Sequence, residues 1–177
     1  DVAHATWKRM AARLESLLAP EAADAWQELV REALDPAALT LGPLDIHAGN
    51  AVWHEGRVYF VDFATLGPDF PERRLAAYGQ AVRPKAASAL TAEVYAAYAE
   101  EAGPRAALRL AVFDLLFWGV VLQRLRIMTE QPESPDALRL RREWGEAAAL
   151  SAGAIAQWHR ERVPDARLAA VVAGLQW

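Results

Sequence analysis

The sequence predicts an α+β domain that is mainly α, with helices gathered around a short β-hairpin. Three observations predict it. Ala and Leu dominate a chain of 177 residues whose apolar share is 54%, a composition that favours helix and supplies a core. Apolar residues recur at helical spacing over most of the length. One stretch breaks that pattern: "AVWHEGRVYFVDF", from Ala51 to Phe63, is dense in Val and aromatics and reads as strand.

Residues 2–19 and 21–34 read as two amphipathic helices. Trp7, Met10, Leu14 and Leu17 fall on one helical face, and Ala25, Leu29 and Ala33 repeat the spacing. Pro20 suits the first turn of the second helix. "DPAALTLGP" then ends the periodicity. The hairpin follows, with strands near 51–54 and 57–62 and Gly56 supporting the tight turn between them. "ATLGPDFP" reads as a loop. From about Glu72 the pattern is helical, over roughly 72–82, 91–102, 105–129, 135–162 and 165–175. Pro84, Gly103–Pro104, Pro132, Pro135 and Pro164 punctuate it. Without a repeat or a low-complexity linker, the expectation is one domain over 1–177.

Charge and composition narrow the function classes. The net charge is -4, and the basic residues form no long run, so nucleic acid is not an expected partner. The chain has no Cys, which excludes disulfides and thiolate chemistry and makes a reducing, cytoplasmic location the expectation. The longest apolar run, "LLFWGVVL" at 115–122, is too short to span a bilayer and reads as the centre of a buried helix, so no membrane partner is expected. No signal peptide opens the chain. It begins at Asp1 rather than Met, which suggests missing upstream sequence.

The hairpin carries the chemistry. Asp45, His47 and Asn50 lie at one of its ends and Asp62 at the other. An antiparallel pair returns the chain to its starting edge, so Asn50 and Asp62 are expected close together. A side-chain amide oxygen and a carboxylate can share a hard cation such as Mg²⁺, which prefers oxygen ligands and retains waters and substrate phosphates. Asp45, a second carboxylate, can accept a proton from a hydroxyl nucleophile. Phosphoryl transfer needs this division of labour: positioning and charge neutralisation, with little covalent work by the protein.

"LDIHAGNAVWHEGRVYFVDFATLGPDFPERRLA", Leu44 to Ala76, resembles the catalytic segment of the aminoglycoside phosphotransferase and choline kinase family. These are small-molecule kinases with a protein-kinase-like fold. The family pattern runs H-G-D-L-H-x-x-N, a hairpin, a strand ending in D-F or D-W, then a G-D-P-x-x-D-L-A-like turn into a helix. The resemblance implies a kinase-like C-terminal lobe, with its motif segment at 40–76 and a helical substrate-side region at 90–177. It implies Asp45 as catalytic base, Asn50 and Asp62 as ligands of Mg²⁺, ATP as phosphate donor and a small-molecule hydroxyl as acceptor. His47 matches the second His of the pattern, and "EVYAAYAEEAG" at 93–103 resembles the helix that often follows. Pro43 and Leu44 stand where the pattern has His-Gly, and Arg74 stands where it has the Asp of D-L-A. The family's nucleotide-binding lobe, with its strand Lys, has no counterpart. Lys8 and Lys85 are the only lysines, neither lies in a strand pattern, and no glycine-rich phosphate loop is present. A separate N-terminal lobe or partner chain is therefore expected.

Other readings of these residues are plainer. Asp and Asn are natural turn formers, and Asp45, Asn50 and Asp62 could simply shape the loops of a structural hairpin. His47 suits holding its loop better than binding Mg²⁺, and His54 suits a solvated hairpin. With no Cys or third His beside them, no zinc site is expected. None of the four serines lies in G-x-S-x-G. The seven tryptophans read mostly as core. Asp114, inside an apolar helix, either lines a substrate cleft or is a partnered core residue. Two functional alternatives to the kinase remain: a non-catalytic binding module of kinase-like ancestry, and a helical interaction domain.

Overall fold

In a computed structural model, residues 2–82, 88–144 and 165–175 are described. Helices predominate among them. In chain order the elements are α1 (Val2–Glu15), α2 (Pro20–Ala33), β1 (Thr40–Pro43), β2 (Ala51–His54), β3 (Arg57–Phe60), β4 (Leu66–Asp69), α3 (Pro71–Val82), α4 (Ser88–Ala102), α5 (Pro104–Glu130), α6 (Pro135–Trp144) and α7 (Ala166–Gly174). Single 3-10 turns occupy Pro36–Ala38 and Ala48–Asn50. The expected helix over 135–162 is seen as α6, and residues 145–162 lie outside the described residues.

The chain divides into two compact units, residues 1–32 with 115–177, and 33–114. In the first, Leu14 of α1, Trp26 and Leu29 of α2, Leu116 of α5 and Leu168 of α7 are fully buried, and Ala137 and Leu140 of α6 pack with Met128. The Trp26 indole N–H donates to the Ala11 carbonyl at 2.9 Å, which satisfies the polar end of a fully buried ring. The first helix stops at Glu15, short of the expected 19. Leu18 instead forms an antiparallel bridge with Leu175, and the Ala19 N–H donates to the Gly174 carbonyl at 2.8 Å. Asp165 caps α7 by accepting from the Arg167 and Leu168 N–H groups. Pro135 opens α6 at the position where its missing N–H costs nothing, after a Ser134 hydroxyl that accepts from the Ala137 N–H.

The second unit holds all four strands, in two antiparallel pairs rather than the single hairpin expected. β2 pairs with β3 from Ala51↔Phe60 to His54↔Arg57. Glu55 and Gly56 form its turn with φ of 47° and 77°. Both are positive, as a two-residue turn matching the strand twist requires. β1 pairs with β4 from Thr40↔Asp69 to Pro43↔Leu66, so the segments expected as a pattern break and a loop are strands. The first part of α5 packs this unit, with Leu110, Ala111, Val112 and Phe113 fully buried and Phe113 against Phe70 at 5.2 Å between ring centroids.

Helix α5 is longer than its apolar centre suggests. By length and composition it could cross a membrane, with a mean hydropathy of 1.7 over its most apolar window, yet 71% of that window is buried within the protein.

Candidate functional site

Backbone hydrogen bonds bring the two motif-bearing segments together. The β1–β4 ladder continues one step, where the Leu44 N–H donates to the Thr65 carbonyl at 2.9 Å. The β2–β3 ladder also continues one step, where the Val61 N–H donates to the Asn50 carbonyl at 2.8 Å. Residues 45–49 and 62–64 therefore run between the same two closures. Four Cα steps from Val61 to Thr65 span at most about 14 Å. Asp45, beside Leu44, and Asp62, beside Val61, are confined to that short reach.

Local bonds shape each segment. The Asn50 side-chain N–H donates to the Asp45 carbonyl at 3.2 Å, and the Asn50 backbone N–H to the His47 carbonyl at 3.0 Å. The amide oxygen of Asn50, its acceptor atom, takes no part in that side-chain bond. His47 Nδ1 accepts from the Gly49 N–H at 3.0 Å, which assigns the neutral ring's proton to Nε2. Nε2 lies 3.6 Å from Asp45 Oδ2. Asp62 is in the left-handed region, at φ 62°, a conformation that Asp tolerates better than most residues. Its Oδ1 accepts from the Ala64 N–H at 3.3 Å, an Asx turn that leaves Oδ2 outside this bond.

The site is open to solvent. The side chains of Asp45 and His47 are 63% and 44% exposed. Much of the neighbouring strand surface is apolar and exposed as well, with Leu41 at 77% and Trp53 at 71%, and Val58, Phe60 and Phe63 also exposed. His54 sits on the exposed hairpin as expected, its ring tilted against Tyr59.

Beneath this surface lies a buried layer of charge at the start of α3, which also touches the Ala48–Asn50 turn. Asp69, Glu72, Arg73 and Arg74 are all less than one-tenth exposed. Arg73 Nε donates to Asp69 Oδ2 at 2.6 Å, and its Nη2 donates to the Leu44 carbonyl at 2.7 Å. Arg74 donates to the Thr40 carbonyl at 2.6 Å, the Thr40 hydroxyl at 3.2 Å and the Asp69 carbonyl at 3.3 Å. Its guanidinium fills the space in front of Gly42, where a Cβ would collide with it. Burial lowers the Arg74 pKa, while the charge of Asp69 opposes that shift. Glu72 Oε1 accepts from the Tyr98 hydroxyl at 3.0 Å and lies 3.1 Å from Arg109 Nη2.

The structure thus joins the segments bearing Asp45, His47, Asn50 and Asp62. Asp114 lies apart as a partnered core residue, fully buried and accepting from the Tyr95 hydroxyl at 3.0 Å. Pro43 and Leu44 continue the β1–β4 pairing, and Arg74 locks β1 onto β4. Sequence reasoning passed over Arg73, although Asp69 and Arg73 stand at the i, i+4 spacing of a helical ion pair. Among the described residues no group of three or more His, Cys, Asp or Glu side chains is arranged to hold a metal. Any cation here would rest on the amide and carboxylate oxygens of Asn50 and Asp62. No family model, curated protein or solved structure matches the chain.

Proposed function

We propose that the chain is the C-terminal lobe of a kinase-like phosphotransferase that moves the γ-phosphoryl group of ATP to a hydroxyl of a small molecule. One observation carries this reading: the Leu44–Thr65 and Asn50–Val61 bonds close the segments of Asp45, Asn50 and Asp62 onto each other. The donor set suits the chemistry. Asn50 Oδ1 and Asp62 Oδ2 are hard oxygens left over from local bonds, the ligand type that Mg²⁺ takes together with phosphates and water. The ion supplies neutralisation of phosphate charge when bound. Asp45 accepts the proton of the attacking hydroxyl at a carboxylate oxygen, and ADP departs with the leaving oxygen. His47, bonded to Gly49, keeps its Nε2–H toward Asp45 and helps to orient that carboxylate.

A second lobe completes the site. The exposed apolar strand surface around Asp62 favours a covering partner, and Lys8, one of the chain's two lysines, lies on helix α1. The partner in this reading is a sheet-bearing nucleotide lobe that supplies the phosphate-binding Lys. The test is a phosphotransfer assay on the purified chain beside a longer polypeptide containing upstream sequence. Turnover is expected only in the longer form. Equal activity in both would show that the nucleotide site has been misplaced.

A further inference from the structure

Arg73 joins a buried carboxylate to the backbone immediately before Asp45. Asp69, at the end of β4, is 2% exposed, and Arg73, in the first turn of α3, is 8% exposed. One guanidinium serves both Asp69 Oδ2 and the Leu44 carbonyl. A planar fork held on one side by a buried ion pair has little freedom left on the other. The Leu44 carbonyl belongs to the peptide unit whose N–H is that of Asp45. Fixing that carbonyl therefore fixes the peptide plane from which the Asp45 side chain departs.

We propose that Arg73 is a positioning residue for Asp45. It transmits the fixed geometry of the β4–α3 corner to the loop at 45–50, where the Asp45 side chain is exposed and the side-chain bonds of His47 and Asn50 stay within the loop. This proposal rests on the reading of Asp45 as proton acceptor. The neighbouring Arg74 makes its hydrogen bonds elsewhere, to Thr40 and to backbone within the β1–β4 pair, and shares the Asp69 carboxylate only at longer range, its Nε 3.9 Å from Oδ2. Two adjacent arginines thus divide the work, one locking the sheet and the other aiming the loop.

The experiment compares the full wild-type chain with Arg73→Lys. Lys keeps the charge beside Asp69, but its side chain is shorter and lacks the planar fork whose Nη2 reaches both Asp69 and the Leu44 carbonyl. Amide hydrogen exchange reads residues 45–50 separately from β1 and β4. Exchange at 45–50 is expected to quicken about tenfold, with β1 and β4 protected as in the wild type. Unchanged exchange at 45–50 would overturn the proposal. Should Arg73→Lys fold poorly, Asp69→Asn removes the charge that anchors the guanidinium while keeping its shape, and it should quicken exchange at 45–50 more than at β1 and β4, where Arg74 keeps its bonds to Thr40. Uniform loss of protection across both strand pairs in both variants would assign Arg73 to general stability and overturn the proposal. In the longer, active polypeptide, Arg73→Lys should lower kcat about tenfold with KM for ATP unchanged, since a misaimed base harms the transition state alone. If exchange responds as expected but no variant or wild type shows Mg²⁺-dependent turnover, the kinase reading fails and the loop-positioning role stands.

Discussion

Val61 donates its backbone N–H to the Asn50 carbonyl at 2.8 Å, one step beyond the last registered pair of the hairpin, Ala51↔Phe60. That bond sets Asp62 as the first residue to leave the ladder. Its φ of 62° turns the chain at once, and its Oδ1 caps the turn on Ala64. The geometry of Asp62 thus follows from where the hairpin ends.

Asp62→Asn should separate shape from charge. Asn accepts the same turn bond and tolerates the same φ, so the unfolding midpoint should stay close to wild type. Calorimetric titration with ATP should show affinity reduced about tenfold with Mg²⁺ present and unchanged with chelator present, because the proposed carboxylate ligand has become a neutral amide. Equal affinity in both proteins with Mg²⁺ would remove Asp62 from the metal site.

Asp45→Asn tests the proposed base. In a longer polypeptide that shows turnover, kcat should fall by about a hundredfold or more while KM for ATP stays within a small factor, the pattern of a group used in the transition state. Steady-state kinetics decide it, and an unchanged kcat would return Asp45 to the role of a turn former.

Gly42→Ala should be costly for a reason that exposure does not reveal. Any Cβ there meets the Arg74 guanidinium, which is held by the Thr40 carbonyl and hydroxyl. The expected loss is about 1–3 kcal/mol, the usual penalty of overpacking, read as a shift in urea midpoint. A midpoint equal to wild type would mean that Arg74 yields easily and does not lock β1 to β4.

Legibility followed the type of interaction. The β2–β3 hairpin was readable because its Val and aromatic residues, and Gly56 at its turn, are local signals. β1 and β4 were not: Thr-Leu-Gly-Pro and Leu-Gly-Pro-Asp carry two glycines and two prolines between them, residues that weaken strand patterns and belong at sheet edges. What pairs them includes Arg74, a contact across 34 residues to Thr40. The Arg73 link to Leu44 spans 29 residues and is equally silent in a local window. The closeness of the segments bearing Asn50 and Asp62 was legible because a short hairpin necessarily returns one of its ends to the other. The exposure of that hairpin was not, since an apolar strand reads alike whether helices cover it or nothing does.

Alkaline stability should report the contact between Tyr98 and Glu72. Burial, then the Glu72 charge and hydrogen bond, push the phenol up from 10.0 to about 12. The folded state thus favours the neutral form. The contribution is complete below about pH 10 and is lost as pH rises toward 12. Stability measured by urea unfolding at intervals over this range should fall more steeply for wild type than for Tyr98→Phe. Parallel curves would show that Tyr98 titrates alike folded and unfolded.

The central claim is that Asn50 and Asp62 together hold a Mg²⁺–nucleotide complex, and nuclear magnetic resonance of the isolated chain tests it most directly. With so few ligands at an exposed site, binding should be weak, yet chemical shifts read weak binding residue by residue. Titration with ATP and Mg²⁺ together should move the Asn50 side-chain amide and the Asp62 backbone signals, and adding chelator should return them. Signals at Asn50 and Asp62 that stay still, or that move equally with chelator present, would contradict the account.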